Sequence, residues 1–145
     1  MKSLSVIQTS TWRHVESNFA PKKRTILIVD DDPMVLNMLA MSLDQSYEVL
    51  AAADGVEAAY IYERHLERIT ALVTDLDLPR LDGQSLAEWV HHINPRLPVI
   101  IMSGSIRNRD SEDWRGRISF LEKPFEPSQL EALLREALEA WPQIV

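Results

Sequence analysis

From residue 25 onward the sequence predicts an α/β fold, a parallel sheet covered by helices on both faces. Three observations carry that prediction. Short apolar runs alternate with stretches of helical period through five repeats of the pattern. The first run, TILIV at 25–29, shows no polar alternation, as expected of a central strand buried on both sides. Polar residues gather where the runs stop: Asp30 and Asp31, then Asp75, Ser103 and Lys123.

Each element has a local reason. Residues 25–29 are the first strand, and one of Asp30, Asp31 and Asp32 is expected to cap the helix that follows. Pro33 suits the first turn of that helix, which runs to about Asp44 with Val35, Leu39 and Leu43 as its core stripe. Residues 47–52 are the second strand. Asp54 to Glu57 have capping-box spacing, with Asp in the Ser/Thr place, and open a helix to about Glu67. The third strand, 70–74, leads to Asp75. Pro79 lies in a turn-rich loop over 76–82, and Gly83 opens a third helix closed by Asn94 and Pro95. Residues 98–102 are the fourth strand, ending at Ser103 and Gly104. A short, polar fourth helix is expected over 107–117, followed by a fifth strand at 118–121. Pro127 and Ser128 open the last helix, with Leu130, Leu133, Leu134, Ala137 and Leu138 as its apolar face and an end near Trp141 and Pro142. Crossovers in such a sheet are right-handed.

The organisation is one domain at 24–141, an N-terminal arm at 1–23 and a C-terminal tail at 142–145. In the arm, Trp12, Val15 and Phe19 fall at helical spacing and suggest a docking turn; a weakly ordered terminus is the plainer account. The chain of 145 residues can build a single core. A net charge of −7 without a basic stripe argues against direct nucleic-acid binding. The absence of cysteine excludes disulfides and thiolate metal sites and suits a reducing compartment. No apolar run is long enough to span a bilayer, and residues 1–20 lack the apolar segment of a signal peptide. The expectation is a soluble cytoplasmic protein with no membrane partner.

In a parallel sheet all carboxyl ends lie along one edge, where open α/β sheets bind ligands. Asp30, Asp31, Asp75, Ser103 and Lys123 therefore converge. Three clustered carboxylates cannot all stay ionised without a counter-charge. A hard cation such as Mg²⁺ meets that need, taking oxygen ligands and keeping waters for a phosphate. Lys123 and the Ser103 hydroxyl are the donors that a phosphoryl group requires. An aspartate in such a site can attack phosphorus to form an acyl phosphate, with the protein supplying mainly position and charge neutralisation. Singly, each residue has a plainer reading: a helix cap, a turn at Ser103 and Gly104, a surface lysine before a helix-starting proline. Five polar positions at four strand ends favour the joint one.

The segments ILIVDDDP (26–33), VTDLDLPRLDG (73–83), PVIIMSGS (98–105) and FLEKPF (120–125) carry a family likeness. Over 25–140 the chain resembles a response-regulator receiver domain of two-component signalling. The resemblance implies a flavodoxin-like, five-stranded doubly wound sheet in the order 2-1-3-4-5, with five helices. It implies that Asp75 is the phosphoacceptor, supplied by a histidine kinase or a histidine phosphotransfer protein. Asp31 would bind Mg²⁺ directly, Asp30 through water, and Asp75 and the backbone carbonyl of Asp77 would complete the protein ligands. Ser103 would bond one phosphoryl oxygen and Lys123 another. The Lys123–Pro124 bond would be cis, Pro124 and Gly83 being structural positions. Ser103 and Phe120 would be the switch, reshaping the face formed by the fourth strand, fourth helix and fifth strand to control an output partner. Phe120 also reads as a core residue of the fifth strand. Such a domain is no enzyme beyond its own phosphoryl uptake and slow autodephosphorylation.

Departures from the family pattern are Asp77, an acidic residue two past the acceptor, and Ser105, two past the switch serine. Trp114 to Arg117 replace the usual small residues before the fifth strand, which disfavours a dimer built on a regular fourth-helix face while leaving a homodimer open. Met34, Met38 and Met41 lie at i, i+4 and i+7 on the first helix, where the family docks its histidine partner; extra core cover is the alternative. The chain ends soon after the last helix, so a stand-alone receiver, a relay intermediate or a receiver excised from a hybrid histidine kinase is expected. Two rivals stand beside this reading. One is a pseudo-receiver that binds a partner without phosphorylation. The other is a haloacid-dehalogenase-like phosphatase, suggested by Asp75-Leu76-Asp77, although the acid pair precedes that motif and no cap domain fits.

Overall fold

Five apolar runs become five parallel strands in the order β2-β1-β3-β4-β5, as the resemblance implies. A computed structural model of the chain describes residues 22–105 and 117–140. Its elements are β1 (Arg24–Val29), α1 (Pro33–Leu43), β2 (Tyr47–Ala52), α2 (Gly55–Arg64), β3 (Ile69–Asp75), α3 (Gly83–Ile93), β4 (Val99–Ser103), β5 (Ile118–Glu122) and α4 (Pro127–Ala140). The described residues thus contain four helices, not the five expected. Residues 107–116 of the predicted fourth helix, together with Trp12, Val15, Phe19 and the tail, lie outside the described part.

The sheet has two cores because adjacent strand residues face opposite ways. Leu27, Val29, Leu72, Val99 and Ile101 pack with Ala58 and Tyr62 of α2 and with Leu86, Ala87 and Val90 of α3. Ile26, Ile28, Ala71, Val73, Ile100 and Met102 pack with Leu39 and Leu43 of α1 and with Leu130, Leu134 and Leu138 of α4. This is the doubly wound arrangement, and it explains why β1 reads as an unbroken apolar run. Val35 is only partly buried, packed against the second core beside the helix's two fully buried leucines.

Four element ends differ from expectation, one helix end and three strand ends. α2 stops at Arg64, not near Glu67, because His65 leaves helical conformation and its carbonyl accepts from the Arg68 and Ile69 amides as the chain turns into β3. Leu66, the apolar residue that prolonged the helical pattern, is exposed. The strands also reach one residue further along the carboxyl edge: Asp75, Ser103 and Glu122 are their final members. A strand read from hydrophobicity ends at its last apolar side chain, whereas backbone pairing continues, with the Leu76 amide donating to the Met102 carbonyl at 2.9 Å. Among the described residues no helix is long and apolar enough to cross a membrane.

Candidate functional site

Helix starts and strand ends deliver the polar side chains to one edge. Asp32 is the cap of α1, accepting from the Met34 amide at 2.9 Å, which resolves the choice among the three aspartates. Asp30 is fully buried, and its Oδ1 accepts from the Asp32 amide at 2.9 Å. Asp31 is exposed. Asp75, 7% exposed, ends β3 beside Met102 of β4. Carboxylate oxygens of Asp30, Asp31 and Asp75 all lie within 4.8 Å of one another. Lys123 follows β5, anchored by its amide, which donates to the Ser103 carbonyl at 2.7 Å. Its Nζ lies 3.3 Å from Asp30 Oδ2 and 3.2 Å from Asp75 Oδ2.

The charges are unevenly matched, three carboxylates to one ammonium. Burial pushes the Asp75 pKa above the ordinary carboxylate value; Lys123 pulls it partway back, and Asp30 adds to the rise. Burial also works against the charge on Lys123, but Asp75 and Asp30 together outweigh it and the pKa of the lysine is raised. An all-oxygen donor set carrying surplus negative charge fits a hard divalent cation and offers nothing to a soft one.

The remaining predicted positions are spread around this cluster. The Asp77 amide approaches Asp75 Oδ1 at 3.4 Å, while the Asp77 side chain is exposed. Ser103 is buried; its hydroxyl donates to the Ser105 carbonyl at 2.8 Å and accepts from the Ser105 amide at 3.1 Å. Phe120 is partly buried against the α2–α3 core, in keeping with its reading as a core residue. The Lys123–Pro124 peptide bond is cis. Gly83 begins α3 beside the backbone of Asp75 and Leu76. Met34, Met38 and Met41 are 80%, 44% and 74% exposed, so these side chains are not core cover.

One contact near the site carries no signal in the sequence. Arg80, in the loop after Asp75, holds the Asp54 carboxylate through both of its oxygens. Asp54 is also the helix cap that its spacing to Glu57 predicts, accepting from the Glu57 amide at 2.8 Å. Glu57 reaches back to the Ala53 amide at 2.7 Å, one residue past the cap amide that is the usual capping-box partner.

With this geometry in place, comparison with known proteins is decisive about the family. Residues 26–135 match the response regulator receiver domain family. The chain belongs to it. Receiver domains are signalling domains of two-component systems. This receiver is 33% identical over 121 residues to the transcriptional regulatory protein GlrR of Escherichia coli (strain K12), covering 81% of this chain and 27% of that protein. It is similar to the solved response regulator receiver protein from Sinorhizobium medicae WSM419, with a TM-score of 0.76, 27% identity and coverage of 83% and 98% of the two chains. The receiver domain from the hybrid histidine kinase CckA gives a TM-score of 0.68 and 31% identity, with coverage of 79% and 98%. The receiver spans half or less of the curated relatives named here, 27% of GlrR and 50% of the response regulator GtcR of Aneurinibacillus migulanus. Membership leaves the phosphatase reading, built on Asp75-Leu76-Asp77, without support.

Proposed function

We propose that Asp75 is the phosphoacceptor of this receiver, taking a phosphoryl group from a phosphohistidine of a histidine kinase or phosphotransfer protein. The observation that carries this reading is the buried carboxylate of Asp75 beside Asp30 and Asp31, with Lys123 3.2 Å from its Oδ2. A carboxylate oxygen can attack phosphorus to form an acyl phosphate, and the Lys123 ammonium stands beside it to offset the charge of an incoming phosphoryl group.

The proposed ligands of Mg²⁺ are Asp31, Asp75 and the backbone carbonyl of Asp77, with Asp30 acting through water, and the ion, when bound, would neutralise the carboxylates and the incoming phosphoryl oxygens. An oxygen of Asp75 bonds to phosphorus as the bond from phosphorus to the imidazole nitrogen breaks, and that electron pair leaves on the imidazole. Lys123 then supports one phosphoryl oxygen. Ser103 supports another after giving up its bonds to the Ser105 backbone, and Phe120 moves with it. Phosphorylation shifts the two-state balance only by its unequal interaction with the two states. The responding face, at β4 and β5, controls the output partner, and exposed Met34, Met38 and Met41 receive the histidine-bearing donor.

Intact mass after incubation with acetyl phosphate tests the reading. One added phosphoryl group that needs Mg²⁺ and is absent in Asp75→Asn is the expected result. A folded protein that stays unlabelled with Mg²⁺ present points instead to a pseudo-receiver.

A further inference from the structure

The loop joining β3 to α3 contains a backbone conformation that costs energy. The Leu81 amide donates to the Pro79 carbonyl at 2.8 Å across Arg80, whose φ is 68°. That pattern is a γ-turn of the rarer, strained hand. Arg80 is the one non-glycine residue with positive φ among the described residues. Strain of this kind persists only where the surroundings over-determine it.

Two contacts do so, both at the start of α2. Arg80 Nη2 donates to Asp54 Oδ1 at 2.9 Å and to Oδ2 at 2.8 Å. A Cβ on Gly55 would fall 2.0 Å from the Leu81 carbonyl oxygen, so the loop backbone lies directly on the first residue of the helix. Asp54 is itself fixed by its capping bond to the Glu57 amide. The other parts of the loop bear on the acceptor: the Asp77 amide approaches Asp75 Oδ1, and the Gly83 amide donates to the Leu76 carbonyl at 2.9 Å.

We propose that the Asp54–Arg80 ion pair is a clasp that holds the loop over 76–82 in its strained turn against α2, and so positions the Asp77 backbone at the Asp75 carboxylate. Arg80 and Asp54 are positioning residues for phosphoryl uptake, and in that respect the inference rests on the phosphoacceptor reading. Exposed ion pairs add little to global stability, and the Arg80 side chain is 60% exposed. The clasp therefore acts on loop order and on the metal requirement, with little change in melting.

Two substitutions isolate it. Arg80→Gly keeps a residue at ease with positive φ and removes the clasp, while Asp54→Asn keeps a good helix cap and removes the charge. Hydrogen exchange of peptides spanning 76–83, in metal-free protein, reads loop order. Initial labelling rates with acetyl phosphate across a Mg²⁺ series read the consequence. Both variants are expected to exchange faster in the loop and to need about two- to fivefold more Mg²⁺ for half-maximal labelling. The double variant should be no worse than the weaker single, and Arg80→Lys should recover part of the loss. Unchanged exchange in both single variants overturns the clasp. Faster exchange with an unchanged Mg²⁺ requirement overturns the positioning role. A wild-type protein that never labels is a different result: it overturns the phosphoacceptor reading, and the exchange data still decide whether the clasp orders the loop.

Discussion

The first residue of α3, Gly83, lies so close to the backbone of Asp75 that no side chain fits between them. A Cβ on Gly83 would fall 2.2 Å from the Asp75 carbonyl oxygen and 2.9 Å from the Leu76 α-carbon. Both neighbours are backbone and cannot rotate aside. Gly83 does not have positive φ, so its role is space, not conformational freedom.

Gly83→Ala is therefore expected to destabilise the fold by about 1–3 kcal/mol, the usual cost of forced overpacking. Because the displaced atoms belong to Asp75 and Leu76, labelling by acetyl phosphate should slow as well. Urea unfolding and the labelling rate check the two effects separately. A variant with the wild-type midpoint would mean that the helix start can retreat without cost.

Much of this was legible in the sequence because periodicity and punctuation are local. The TILIV run, Pro33 and the Asp54-to-Glu57 spacing each fixed an element, and the order of Asp30, Asp31, Asp75, Ser103 and Lys123 placed them on one edge. The end of α2 was not legible, since Leu66 prolongs the helical pattern although its side chain is exposed. Nor was the Asp54–Arg80 pair, whose partners are 26 residues apart. Arginine in a polar loop carries no local signal of its partner, and a positive φ at Arg80 contradicts the usual preference for glycine or asparagine there.

The exposed methionines of α1 allow docking to be separated from folding. Replacing Met34, Met38 and Met41 together with Gln should leave stability within about 0.5 kcal/mol, as for surface sites. Labelling by acetyl phosphate should be unchanged, because that donor needs no docking face. Transfer from a phosphorylated histidine phosphotransfer protein should slow. Equal transfer rates for the variant and wild type would remove α1 from the docking surface.

Metal binding can be read without any phosphoryl donor. If Mg²⁺ binds only the folded state, saturation to 100 times its dissociation constant stabilises the protein by about 2.7 kcal/mol. Asp31 is exposed, so Asp31→Asn should leave the metal-free protein close to wild type, within about 0.5 kcal/mol. The same variant should lose most of the gain from added Mg²⁺. Melting curves with EDTA and with Mg²⁺ make the comparison, and a full Mg²⁺ response in Asp31→Asn would exclude this carboxylate as a ligand.

The raised pKa of Asp75 gives a prediction whose sign is fixed by linkage. A carboxyl with a raised folded pKa contributes stability that is fully present below its unfolded value, near 3.8, and lost as pH rises through the folded value. Burial is the leading cause, and it exceeds the pull of Lys123. In metal-free protein at pH 7 the ionised Asp75 is thus a net cost. Asp75→Asn keeps the shape and removes the charge, and Lys123 retains Asp30 at 3.3 Å as a partner. The variant should be more stable than wild type at pH 7 by on the order of 1 kcal/mol, with the difference shrinking as pH falls toward 4. Urea unfolding in EDTA at several pH values tests this. A variant less stable than wild type at pH 7 would show that the Lys123–Asp75 attraction outweighs burial, reversing the direction of the Asp75 shift.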